Sequence, residues 1–128
     1  MAMSALMGDT EHRGCVLVVE DEVFLAMELE AALTDGGFRV LGPAASVRDA
    51  LDLLTSECPD AAVLDFNLGR DKVTPVALQL KTLGVPFVLA SASSAAELSR
   101  YAVLADITNL GKPTDLKRLV AAVRALHA

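Results

Sequence analysis

Three short apolar runs constrain this chain more than anything else in it. Cys15–Val19, Ala61–Leu64 and Phe87–Ala90 contain no charged or hydroxyl side chain. A strand with one face in water alternates apolar with polar residues. An unbroken run of this length instead reads as a strand buried on both faces, the condition of the interior of a parallel sheet. Two weaker runs, Phe38–Leu41 and Asp106–Leu110, mix polar with apolar residues, as edge strands do.

Helical repeats fill the intervals. Val47, Ala50, Leu51 and Leu54 recur at i, i+3, i+4 and i+7, as do Val73, Val76, Ala77 and Leu80, and later Leu116, Leu119, Val120 and Val123. Glu22–Asp35 reads as a helix with a broad apolar side, closed by Gly36–Gly37. Ser94–Leu104, rich in Ser and Ala, is the weakest helical stretch. Alternation of strand and helix predicts a parallel sheet covered on both faces. Right-handed crossovers and the burial of runs one, three and four then give a flavodoxin-like α/β fold, a doubly wound (βα)5 sheet of strand order 2-1-3-4-5.

Composition narrows the function. The 128 residues fit one domain, and 53 % hydrophobic against 22 % charged residues predicts a packed core. A net charge of −6, with no basic run longer than Lys117–Arg118, argues against direct nucleic-acid binding. No apolar run is long enough to span a bilayer. Residues 1–13 lack the pattern of a secretory signal and read as a flexible tail before a domain over 14–128. Cys15 and Cys58, far apart and without a C-x-x-C pair, read as reduced cytoplasmic thiols. His12 and His127 stand near opposite ends of the chain, which disfavours a histidine-based catalytic centre.

In the predicted order the strand ends bring chemistry together. Glu20–Asp21 follows the first run, Asp65 the third, Ser91 the fourth and Lys112 the fifth. Ligands of such sheets bind outside the carboxyl ends of the strands, beside the switch in strand order. Acids gathered there repel one another unless a cation intervenes. Mg²⁺ suits them, with Asp21 and Asp65 as direct ligands, Glu20 through water, and the backbone carbonyl of Asn67. A screened Asp65 carboxylate can attack phosphorus to form an aspartyl-phosphate, with Lys112 and the Ser91 hydroxyl stabilising phosphoryl oxygens. Taken singly, each has a plain structural reading. Asp21 suits a helix N-cap, Asp65 a turn, Ser91 a packed hydroxyl and Lys112 a solvated loop. Their coincidence at four strand ends favours a site.

The segments VLVVEDE (Val16–Glu22), AAVLDFNLG (Ala61–Gly69), PFVLASA (Pro86–Ala92) and GKP (Gly111–Pro113) together resemble the response-regulator receiver domains of two-component signalling. The resemblance extends over nearly the whole chain. It implies that Asp65 is the phosphoacceptor, that Glu20 and Asp21 organise Mg²⁺ with Asp65 and the Asn67 carbonyl, and that Ser91 and Lys112 contact the phosphoryl group. A cis Lys112–Pro113 bond belongs to the same likeness. So do the partners: a sensor histidine kinase or histidine phosphotransfer protein as donor and an unknown downstream protein as target, while the sequence leaves monomer and homodimer equally open. In that reading the protein is no classical enzyme, but a phosphoacceptor that catalyses its own phosphorylation and dephosphorylation. With no output module after the last helix, it reads as a single-domain regulator.

The chain also departs from the pattern. Many receivers carry a switch aromatic three residues before the lysine, where this chain has Asn109. Tyr101 is expected to pack on the fourth helix or its neighbour. Gly69 replaces a common proline, and the Asp65–Ser91 segment is short, which resembles the subset with an Asp-x-Asn-Leu-Gly loop and a compact third helix. Other readings are a pseudo-receiver that binds partners without phosphorylation, an Asp-nucleophile phosphohydrolase and a flavin-binding protein. The phosphohydrolase would want an Asp-x-Asp pair after the first strand, and acids without a metal are poor hosts for a flavin phosphate.

Overall fold

The computed structural model describes residues 14–127, so the tail expected over residues 1–13 lies outside the described residues. The elements are β1 (Cys15–Val19), α1 (Val23–Asp35), β2 (Arg39–Ala44), α2 (Val47–Ser56), β3 (Ala61–Leu64), β4 (Asn67–Leu68), β5 (Asp71–Lys72), α3 (Thr74–Thr82), β6 (Phe87–Leu89), α4 (Ala95–Leu98) and α5 (Leu116–His127). The main sheet runs β2-β1-β3-β6 with every pairing parallel, and β4 and β5 form a separate antiparallel hairpin. This is the flavodoxin-like arrangement expected from the sequence.

The buried runs explain the order. Every residue of β1, β3 and β6 is buried, and alternate side chains feed opposite faces. Leu17, Val19, Ala62 and Leu64 pack with Ala50 and Leu54 of α2 and with Val76, Ala77 and Leu80 of α3. Val16, Val18, Ala61 and Val63 pack on the other face with Leu29 and Leu33 of α1 and with Leu119 and Val123 of α5. The mixed run lies at the edge, where β2 extends over Arg39–Ala44 instead of Phe38–Leu41. Pro43 is tolerated there because an edge strand has one unpaired side. Gly42 beside it has φ +96°, and a Cβ at that position would lie 2.7 Å from Ala44 N. The Gly42–Pro43 and Lys112–Pro113 bonds are both cis.

Local chemistry sets the helix limits. Ser46 accepts from Asp49 N at 3.1 Å to open α2, Asp115 Oδ1 accepts from Lys117 N and Arg118 N at the start of α5, and Gly37 turns the chain after α1 at φ +96°.

Two expectations fail in the last third of the chain. The helix expected over Ser94–Leu104 closes at Leu98, and the chain proceeds in turns whose amides reach back three residues, as in Tyr101 N to Leu98 O and Leu104 N to Tyr101 O. The Ser99 hydroxyl donates to Ala96 O at 2.8 Å, the local competition that makes serine a poor helix residue. The strand expected at Asp106–Leu110 is reduced to a single parallel bridge between Leu89 and Asn109. Leu89 N donates to Thr108 O and Leu110 N to Leu89 O, after which the backbone leaves the sheet. Asp and Asn are weak strand formers, and two of them in a five-residue run leave little to extend the pairing.

Candidate functional site

The sheet's hydrogen bonds continue one residue past its strands, and this aims the acids. Glu20 N donates to Ala44 O, Asp65 N to Val19 O and Ala90 N to Leu64 O, each at 2.9 Å. Glu20, Asp65 and Ser91 are the buried polar side chains among the described residues, at 2 %, 6 % and 2 % exposure. Asp21 is half-buried beside them. One carboxylate oxygen from each of Glu20, Asp21 and Asp65 lies within 4.8 Å of the others. Lys112 reaches across from the far edge, with Nζ 2.8 Å from Asp65 Oδ2 and 3.0 Å from Glu20 Oε1.

Asp21 is not the N-cap of α1, since that position belongs to Glu22, which makes no side-chain capping bond. Asp21 Oδ2 instead accepts from Gly69 N at 2.9 Å. Gly69 supplies that amide from a turn at φ +62°, a region a Cβ disfavours. The hairpin is therefore fastened to the acid pair. Asn67, two residues after Asp65, donates to Ser93 Oγ at 3.4 Å and accepts from Lys72, whose ammonium also lies 4.8 Å over the Phe66 ring. Asp21, Glu22, Asp65, Asn67, Gly69, Ser91, Ala92 and Lys112 together line a cleft of ≈ 260 Å³.

The electrostatics favour a cation. Burial pushes the Glu20 carboxyl up to about 7, the Glu22 N–H and Lys112 oppose that rise, and the Asp65 charge adds to it. Burial also works against the Lys112 ammonium, but its bonds to Asp65 and Glu20 outweigh it and hold its pKa above the ordinary value. Glu20 Oε2 accepts from Glu22 N at 3.1 Å, whereas the buried Oε1 has no aligned hydrogen-bond donor, only the Lys112 charge nearby. An all-oxygen donor set with a buried oxygen short of a donor fits a hard divalent ion such as Mg²⁺.

The structure thus brings Glu20, Asp21, Asp65, Asn67, Ser91 and Lys112 to one place. Asn109 stands behind Ser91, with its carboxamide on the Ser91 backbone. Tyr101 packs on the Phe66 ring at 5.2 Å between centroids. Sequence reasoning missed Gly69, Lys72 and Ser93. Gly69 was visible as a replacement for proline, but nothing in the sequence paired its amide with Asp21. No described helix is long and apolar enough to cross a membrane.

Residues 16–124 match the family described as "Response regulator receiver domain". The chain is 35 % identical to response regulator MprA of Mycolicibacterium vanbaalenii over 87 % of its own length and 49 % of that protein's. It is 27 % identical to the transcriptional regulatory protein PdtaR of Mycobacterium tuberculosis over 84 % of this chain and 54 % of that one. It spans about half the length of these curated relatives. Among solved structures, it is similar to the receiver domain of PhyR from Erythrobacter litoralis, with TM-score 0.79, 21 % identity, and 91 % and 92 % of the two chains covered. The signal receiver domain of a LuxO repressor protein from Vibrio parahaemolyticus gives TM-score 0.75 and 24 % identity, covering 90 % and 89 %.

Proposed function

Because the chain belongs to the response-regulator receiver-domain family, we propose that it accepts a phosphoryl group on Asp65 and so switches a protein-binding surface. The observation that carries this reading is the Lys112 ammonium held between Asp65 and Glu20 at the edge of the acid-lined cleft. An Asp65 oxygen forms the bond to phosphorus while the donor's P–N bond breaks, and the leaving imidazole keeps the electron pair. Lys112 sits where it can follow the charge from the carboxylate to the phosphoryl oxygens, and Ser91 lines the same cleft. Mg²⁺, when bound through Glu20, Asp21, Asp65 and the Asn67 carbonyl, supplies the charge that lets an anionic carboxylate meet an anionic phosphate. Hydrolysis of the acyl phosphate returns the free acid.

The donor on this reading is a sensor histidine kinase or a histidine phosphotransfer protein. Val23, Phe24 and Met27 support a place for it, because they expose 68 %, 82 % and 57 % of their surface on α1, directly after the acid pair. Exposed apolar residues clustered at the mouth of a polar cleft are suited to a docking partner. The downstream surface is the opposite edge, around α4, the Asn109 bridge and α5.

Intact mass after incubation with Mg²⁺ and acetyl phosphate tests the proposal. Wild type is expected to gain one base-labile phosphoryl group, and Asp65→Asn none while keeping its fold. Labelling of Asp65→Asn, or none of the wild type beside a competent control receiver, refutes it; the latter favours a module that works unmodified.

A further inference from the structure

We infer that Asn109 is a positioning residue whose carboxamide replaces a missing rung of the sheet, holds Ser91 at the cleft and ties it to the turn that carries Lys112. The inference rests on Asp65 being the phosphoacceptor.

The hydrogen bonds make the case. Asn109 Oδ1 accepts from Ser91 N at 3.0 Å and from Gly111 N at 3.1 Å. Its Nδ2 donates to Ser91 O at 3.1 Å and to Ser93 O at 3.4 Å. A carboxamide offers two donors and two acceptor positions, and all four are engaged. In a parallel ladder the bond after Leu110 N to Leu89 O would take Ser91 N to a strand carbonyl. Here a side-chain oxygen takes it, and the same amide group returns a bond to Ser91 O. The reciprocal pair extends the sheet where the backbone has already turned away.

Residue identity matters at this point. An apolar side chain makes none of the four bonds. An aspartate keeps the two acceptor bonds but sets a negative charge against the carbonyls of Ser91 and Ser93. Asn109 is also half-buried, so water is a poor substitute for the lost partners.

The consequence falls on the Ser91 hydroxyl. Its oxygen accepts from Ser93 N at 3.1 Å, and the hydroxyl keeps its own proton to give to a ligand in the cleft that Ser91 lines. Asn109 fixes both ends of that arrangement, since it holds Ser91 through two bonds and Ser93 through one. Through Gly111 it also fixes the residue before Lys112. Any shift of Ser91 toward a phosphoryl group must therefore carry the Asn109 amide with it or break it. Ser91 and Lys112 are linked through one side chain rather than independently placed.

The test is a double-mutant cycle with a structural readout. Asn109→Ala, Ser91→Ala and the double variant are labelled with acetyl phosphate and Mg²⁺, and initial rates are compared. Amide hydrogen exchange is measured on the unmodified proteins. Each single variant is expected to label more slowly, with the double variant no slower than the slower single, because both remove the same placed hydroxyl. In Asn109→Ala the Ser91 and Gly111 amides are expected to exchange at least about fivefold faster, the factor for one ordinary hydrogen bond, while Val63 keeps its protection. Rate factors that multiply, or unchanged exchange at Ser91 and Gly111, overturn the inference. Should Asn109→Ala unfold, Asn109→Asp decides: Ser91 and Gly111 amides stay protected while labelling slows, and unaltered labelling overturns the inference. Wild type that takes no label on Asp65 refutes the phosphoacceptor reading itself, a result distinct from a failed cycle.

Discussion

Glu20→Gln reads the energetics of the acid cluster directly. The Glu20 carboxyl is held at about 7 against an ordinary 4.5, chiefly by burial, so the native state binds its proton more tightly than the unfolded chain does. The stability this confers is complete below about 4.5, falls as pH rises through the interval, and is gone above about 7. At about 1.4 kcal/mol per pH unit, the interval corresponds to ~3 kcal/mol. Glutamine fills the same volume and has no charge to bury. In EDTA at about pH 8 the variant should therefore be more stable than wild type by up to ~3 kcal/mol, roughly 10 °C in melting temperature for a chain of this size. The gap should close towards about pH 4.5, where both side chains are neutral. Saturating Mg²⁺ should narrow or reverse it at the alkaline end, because the ion stabilises the wild-type acids and binds the variant more weakly. Thermal and urea melts across this range, with and without Mg²⁺, measure all three effects. A variant no more stable than wild type at alkaline pH in EDTA, or a gap that does not move with pH, would refute the argument that burial of the Glu20 charge destabilises the free protein.

Three further outcomes are expected. Lys112→Met leaves Glu20 and Asp65 buried without their cation and should lower stability at neutral pH by about 3–5 kcal/mol in EDTA, with a smaller loss in acid, as urea titration will show. Phe66→Ala removes a fully buried ring that packs at a tilt of 59° against Tyr101 and should cost about 3–5 kcal/mol, read from the same titration. Phe24→Ser changes a side chain that is 82 % exposed. Its stability should stay within about 0.5 kcal/mol of wild type, with acetyl phosphate labelling unaltered and phosphotransfer from a histidine phosphotransfer protein slowed. Equal slowing of both reactions would show that Phe24 acts on the site and not on docking.

The sheet interior was legible because its signal is redundant. Cys15–Val19, Ala61–Leu64 and Phe87–Ala90 are apolar at every position, and short runs of this kind alternating with helical repeats suit strands covered on both faces. The acids were legible because they follow those runs directly, so placing the strands placed them. The signal weakens where tertiary bonds outweigh local preference. Ser94–Leu104 carries helix-favouring Ala and Leu, yet the Ser99 hydroxyl and three-residue turns end the helix early. Asp106–Leu110 has a strand's length, but its pairing stops at the Leu89–Asn109 bridge, and beyond it the Asn109 side chain takes the bond to Ser91 N. Asn109 was visible as the place where an aromatic is usual. Three of its four bonds reach Ser91 and Ser93, sixteen to eighteen residues earlier, and no local pattern encodes such a pairing. The β4–β5 hairpin escaped for the opposite reason, since two-residue strands are too short to leave a periodicity.

The rung that follows each strand has a mechanical consequence. Glu20 and Asp65 are held by backbone bonds that prolong the sheet, to Ala44 and Val19, so their separation is set by how tightly β2, β1 and β3 lie together at that end. Spreading of the strands parts the carboxylates, and mutual repulsion of the carboxylates pries at the strands. A cation gripped by these groups is in effect a clasp across the open end of the sheet. Its arrival should slow solvent exchange at the Glu20 and Asp65 amides first and leave the far end near Cys15 untouched, so that ion binding is written into the backbone as a gradient of stiffness along the strands.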